Sequence, residues 1–179
     1  MLFIPLLLSL LQFTLSASTE PDCSYSAPGS RYFYLSNITF ESHIVYSTPA
    51  HMATSSATIS FEFYNSAVSY TAHCSAGSVE PWQWFNADQI YTCTVPPQGA
   101  GTATFKYRSS DGQLQANQTW LCGAQKTLGT ATGHANLDCK TVDKTAENFT
   151  WPDPQGRMYR TITTTCNPGR SLPPVMQTI

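Results

Sequence analysis

The 179-residue chain is 41% hydrophobic but only 11% charged, and it carries a net charge of -2 at neutral pH. Its nine Lys and Arg residues are scattered and its pI lies near 6.0, so neither nucleic acid nor an anionic membrane is expected as a partner. Soluble domains usually carry about a quarter charged residues, so here the polar surface falls to Ser, Thr, Asn and Gln, a composition suited to glycans and an extracellular setting.

Residues 1–17, MLFIPLLLSLLQFTLSA, are an apolar run that ends in small residues and leads into polar STEPD. This pattern reads as a signal peptide, too short to span a bilayer comfortably, with cleavage expected near Ser16 to Ser18. The remaining 18–179, roughly 160 residues, matches one domain with a real core, and no linker divides it.

Alternation of apolar and polar residues dominates the rest of the chain. A strand is expected over 32–46. From Thr54 to Tyr64, Ala57, Ile59, Phe61 and Phe63 share one face. Asn65-Ser66-Ala67 reads as a short hairpin into a run placing Val68, Tyr70, Ala72 and Cys74 together. Tyr91, Cys93 and Val95 share a face within 89–95, as do Ala103, Phe105 and Tyr107 within 101–109. Ser110-Asp111-Gly112 is a tight-turn signal, because Asp-Gly accepts positive φ. It leads to Leu114, Ala116, Trp120 and Cys122 on the apolar phase of 113–122. Shorter patterns occupy 133–140, with Ala135, Leu137 and Cys139, and 158–166, with Met158, Ile162 and Cys166. No sustained helical period occurs, and β-branched and aromatic residues fill the patterned runs. The expected fold is all-β: a single antiparallel β-barrel, or a sandwich-like barrel, of about eight strands stapled by disulfides.

The six cysteines, Cys23, Cys74, Cys93, Cys122, Cys139 and Cys166, form an even set that implies disulfides in a secreted chain. Five of them fall on the apolar phase of a predicted strand and are expected inward. Many pairings are formally possible. Local order suggests Cys74 with Cys93 and Cys122 with Cys139, leaving Cys23 for Cys166. Each local pair closes a loop of about 20 residues and contributes on the order of 3 kcal/mol. There is no CxxC pair and no Cys/His cluster of zinc spacing, so neither metal nor cofactor is expected. Sequons at Asn37, Asn117 and Asn148 offer N-glycan sites, and Asn117 lies on the polar phase of its strand.

The most suggestive surface element is Pro81-Trp82-Gln83-Trp84-Phe85, in the loop bounded by Cys74 and Cys93. Trp82, Trp84 and Phe85 either plug one end of the barrel or present rings to a sugar or protein; the first reading is favoured and the second makes them the candidate binding surface. Phe149 and Trp151 beside the Asn148 sequon read as cover for the core. No catalytic residue is assigned: there is no G-x-S-x-G and no motif setting a serine beside His43, His51, His73 or His134. The eleven Asp and Glu residues are spread singly. Glu62 and His73, on neighbouring predicted strands, form a possible pair that reads better as a surface contact.

The segments Ala72-His73-Cys74-Ser75-Ala76, Ile90-Tyr91-Thr92-Cys93, Trp120-Leu121-Cys122 and Asn136-Leu137-Asp138-Cys139 resemble the fungal secreted family typified by the major allergen of Alternaria. The resemblance covers the chain from about Tyr32 onward. It implies a β-barrel with two intrachain disulfides like the two local pairs, export from a fungus, action as an elicitor or effector at a host surface, and no established enzymatic activity. Cys166 has no evident counterpart in the allergen. If it takes Cys23, the interchain disulfide dimer of the allergen is not expected and the chain is a monomer. The resulting expectation is a secreted, non-enzymatic recognition protein whose partner is a host protein or a cell-wall polysaccharide. The alternatives are a carbohydrate-binding module of the wall and an unrecognised hydrolase.

Overall fold

The computed structural model describes residues 33–50, 53–80, 84–97, 99, 101–122, 125–171 and 175–178, with no helix among them. Nine strands run in order: β1 (Phe33–Tyr46), β2 (Ala53–Asn65), β3 (Thr71–Ser78), β4 (Tyr91–Cys93), β5 (Thr102–Arg108), β6 (Gln113–Cys122), β7 (Gln125–Thr145), β8 (Arg160–Ser171) and β9 (Val175–Thr178). All pairings are antiparallel, in the order β3-β2-β1-β8-β7-β6-β5-β4, with β9 added to β7. The sheet is thus two sequence-local meanders, β1 to β3 and β4 to β8, zipped together where β1 meets β8. Its two outer strands then meet: His73 and Thr94 exchange backbone hydrogen bonds of 2.9 and 2.7 Å, and Cys74 is bonded to Cys93 beside them. The result is a nearly closed eight-stranded barrel, which decides between barrel and sandwich.

The predicted alternation is what fills the barrel. Ala57, Ile59, Phe61 and Phe63 of β2 are buried, as are Ala103, Phe105 and Tyr107 of β5 and Leu114, Ala116 and Trp120 of β6. Burying each large side chain contributes on the order of 2 kcal/mol. Edge-on ring pairs such as Phe61 with Phe105 at 4.9 Å and Phe33 with Trp120 at 6.4 Å add specificity of packing.

Some elements depart from the sequence reading, each for a local reason. The turn after β2 is longer than Asn65-Ser66-Ala67: the Asn65 side chain accepts from the Ala67 amide and its carbonyl from that of Val68, so pairing resumes only at Thr71. β7 begins at Gln125, well before the expected 133. Its early half hides from an apolar pattern because Gly129 stands where a Cβ would come within 2.5 Å of the Phe33 ring. β8 runs on past Cys166 through Pro168, at a register shift against β7 where a proline is tolerated. Asn37 occupies the matching irregularity between β1 and β2 with φ of 52°. The Asp111-Gly112 turn forms as expected, with Gly112 at φ of 72° and its carbonyl accepting from Ala135.

Gln118 is the residue that alternation alone misassigns by omission. It sits on the inward phase of β6 and is 1% exposed. Its amide, the Tyr70 hydroxyl, the Trp120 indole N–H and the Asn65 amide nitrogen are all buried without a hydrogen-bond partner. Burial raises the pKa of Tyr70, and the Gln118 amide close by offsets part of that rise without reaching direct hydrogen-bond geometry.

Candidate binding site

The loop between β3 and β4 spans the barrel seam, and its second half is fastened at several points. Phe85 is 3% exposed, its ring set edge-on or tilted among Phe40, Tyr91 and Tyr107 at 6.4, 5.8 and 5.6 Å. Its carbonyl accepts from the Ser109 amide at 2.9 Å, and the Ala87 amide donates to the Tyr107 carbonyl at 2.9 Å. Between them Asn86 bridges to Arg108. The Asp88 amide donates to the Asn86 side chain at 3.1 Å, and Ala87 holds φ of 67°. A left-handed alanine is uncommon and costs energy, so the surrounding bonds over-determine it. Residues 86–88 therefore stand as a rigid ridge along the edge of β5.

A hollow lies on each side of this ridge. The first, of about 460 Å³, has Phe85 and Tyr91 as its floor and Ser78, Glu80, Trp84, Asn86, Asp88 and Gln89 around them. The Tyr91 hydroxyl donates to Gln89 Oε1 at 3.3 Å, and its pKa is raised by burial first and by the charge of Glu80 second. Tyr91, Gln89 and Glu80 thus line the same hollow. The second hollow, of about 450 Å³, lies on the polar face of β5, β6 and β7, between the ridge and Lys106, Arg108, Gln113, Gln115 and Thr132. Arg108 is committed to Asp111 through a two-pronged contact of 3.0 and 2.6 Å. That contact, with the Gln113 amide, holds the Asp111 carboxyl down at about 2.

The aromatic run is divided by the structure. Phe85 is buried in the core instead of standing as an exposed ring, while it also lines the first hollow. Trp84 is half-buried, packs on the core and also lines the first hollow. Trp82 lies outside the described residues. Trp151 does not cover the core; it is 64% exposed, while Phe149 packs on Tyr159 at 5.5 Å.

The cysteines require a second correction. Cys74 pairs with Cys93 as expected, but Cys139 pairs with Cys166, so neither Cys122–Cys139 nor Cys23–Cys166 exists. The reason is register: β7 and β8 are adjacent, and Cys139 faces Cys166 directly in their ladder. Cys139 is also exposed, not inward, while Cys166 is buried. With Cys166 taken by Cys139, the argument for a monomer from a Cys23–Cys166 link falls away. Cys23 and the side chain of Cys122 lie outside the described residues.

The polar candidates are dispersed. Glu62 and His73 are cross-strand partners as expected, yet the Glu62 carboxylate accepts from Ser36 and from the Asn37 amide at 3.0 Å. His43 contacts Glu41 at 3.0 Å, His134 contacts the Asp111 carbonyl, and His51 lies outside the described residues. Of the sequons, Asn148 is exposed in the loop after β7, Asn37 engages Glu62 through its attachment nitrogen, and half-buried Asn117 accepts from Thr130 in mid-sheet. Among the described residues no group of His, Cys, Asp and Glu has a metal-holding arrangement. Sequence reasoning missed the hollows because Glu80 and Asp88 converge only through the turn at the ridge. The one local signal was the polar, turn-rich run Asn86-Ala87-Asp88-Gln89.

The structure thus defines a nearly closed, disulfide-joined β-barrel with two polar-lined hollows beside a fastened loop. The chain belongs to the Alternaria alternata allergen 1 family, whose profile matches residues 36–166. No curated protein and no solved structure matches the chain. An allergen family points to a secreted fungal protein outside enzymology, and two disulfides fit an oxidising compartment.

Proposed function

We propose that the protein is a secreted recognition protein that acts at a host or cell-wall surface through the ridge at 86–88 and its flanking hollows. The observation that carries this reading is the pre-organisation of the ridge. A segment held by backbone bonds to β5, a buried Phe85 and a strained Ala87 has already lost the freedom that binding would otherwise remove. Effector-type action on a host molecule and attachment to wall polysaccharide both make use of such a surface.

The test is retention from plant apoplast and fungal wall extracts by immobilised wild type and by a Glu80→Ala, Asp88→Ala double variant of unchanged circular dichroism. Material held by wild type and lost by the variant supports the reading. Equal behaviour of both proteins refutes it.

A hydrolase is the second reading, favoured by one observation: Glu80 and Asp88 line the same hollow. Glycoside hydrolysis needs two carboxyl groups flanking the bond, one of them protonated at working pH. Release of shortened oligosaccharides by wild type, abolished in the double variant, would establish catalysis in place of simple recognition.

A further inference from the structure

We infer that the two hollows form one cleft for a neutral oligosaccharide that lies across the ridge with sugar units on both sides. The inference rests on the reading of this face as the recognition surface and adds the class of ligand and its mode of binding.

Continuity comes first. Asn86 and Asp88 line both hollows, so one ligand crossing the ridge meets the same two side chains from either side. Each hollow has the volume of a small-ligand pocket.

The side-chain chemistry is that of a polyhydroxylated ligand. Gln89 contributes an amide on one side, Gln113 and Gln115 on the other, and Asn86 between them. Each amide offers a donor pair and an acceptor, and the carboxylates of Glu80 and Asp88 accept only, which together match neighbouring hydroxyls that both give and take hydrogen bonds. Trp84 supplies an apolar plate for the C–H face of a sugar ring. A protein partner would want an apolar centre with charge excluded from it. Here charged and amide side chains, Glu80, Asp88 and Gln89 on one side and Lys106, Gln113 and Gln115 on the other, surround the small aromatic floor, and the strongly exposed apolar residue in the lining is Val79, at 74%.

Charge selects against acidic sugars. Arg108 already serves Asp111, which leaves Lys106 against Glu80 and Asp88. The cleft is mildly anionic and offers no free guanidinium fork for a carboxylate or sulfate.

The experiment is calorimetric titration of the full secreted protein with cellohexaose, laminarihexaose, chitohexaose and a hexamer of galacturonic acid. Gln89→Ala and Gln115→Ala alter one exposed or half-buried side chain on each side of the ridge, and circular dichroism verifies their fold. At least one neutral hexaose is expected to bind, and each substitution to weaken it about tenfold, equivalent to about 1.4 kcal/mol. The matching disaccharide, too short to cross, is expected to respond to only one of the two substitutions. Absence of binding by every neutral hexaose, tighter binding of the galacturonate hexamer, or indifference to one substitution would each overturn the inference. Groove-dependent retention from the extracts that is destroyed by protease and untouched by glycosidases would overturn it too while leaving the recognition reading in place. Loss of groove-dependent retention altogether would remove that reading itself.

Discussion

The barrel is held at its seam and at its β7–β8 strap in opposite ways. At the strap, Cys139–Cys166 lies within a ladder already paired from Ala135 with Ser171 to Thr145 with Arg160, reinforced by Thr141 with Thr164 at 2.8 Å and by the Arg160–Asp143 ion pair. At the seam, Cys74–Cys93 stands beside a single backbone bridge. In the same register row lie Ala103 and Gln118, with the unpaired buried polar groups of Gln118 and nearby Tyr70. A cross-link matters most where little else joins the strands, so the weight of a disulfide here is set by its surroundings more than by the loop it closes.

The largest test of that contrast is a pair of double variants. The two bonds span 19 and 27 residues, so loop entropy alone gives each about 3 kcal/mol, with a few tenths more for the strap. Urea unfolding is expected to show the reverse order: a loss of about 4 kcal/mol for Cys74→Ala, Cys93→Ala against about 2 kcal/mol for Cys139→Ala, Cys166→Ala, because only the first also frees an edge with one bridge. Equal losses, or a greater loss at the strap, would break the comparison.

A smaller effect of opposite sign sharpens it. Gln118→Met keeps the side-chain length while removing two buried, unpartnered polar atoms, and is expected to stabilise the protein by about 1 kcal/mol. Its melting temperature should rise. A fall would mean that the amide finds partners that hold the seam.

The smallest effect is acid sensitivity beyond the strap. Arg157 holds the Asp153 carboxyl at about 2, and Asp153 is enclosed by its own loop, with 2% of its side chain exposed. Its pKa is depressed on folding, so its stabilising contribution is present above the unfolded value of about 4 and lost as pH falls toward about 2. Thermal melts of Asp153→Asn across that window should show a shallower acid decline than wild type. An unchanged slope would place the acid-labile group elsewhere.

Much of this fold is legible in the chain because alternation reports burial directly. Ile59, Phe61 and Phe63, or Phe105 and Tyr107, carry their inward orientation in their spacing. What alternation cannot report is which strands become neighbours. Proximity in sequence therefore matches Cys139 to Cys122, whereas β8 brings Cys166 opposite it. Gln118 escapes because a polar residue on an apolar phase looks like an interruption, and Gly129 because a missing side chain leaves no pattern. The candidate cleft is legible only as a suspicious loop. Phe85 and Trp84 stand out by their bulk, whereas Glu80 and Asp88 meet through the turn at the ridge and the amides on β6 join it through pairings between distant segments.

The division of the sheet into two meanders also bears on how the protein is made. Joining them requires β1 to find β8 across separations such as the 120 residues between His43 and Thr163. Contacts so far apart in sequence are slow to form. During synthesis β1, β2 and β3 emerge and can pair well before β8 exists, which leaves the β8-facing edge of β1 open in the meantime. Such an edge is a template for pairing with other chains. Biogenesis is therefore most vulnerable in this interval, which ends only when β8 arrives to cover that edge.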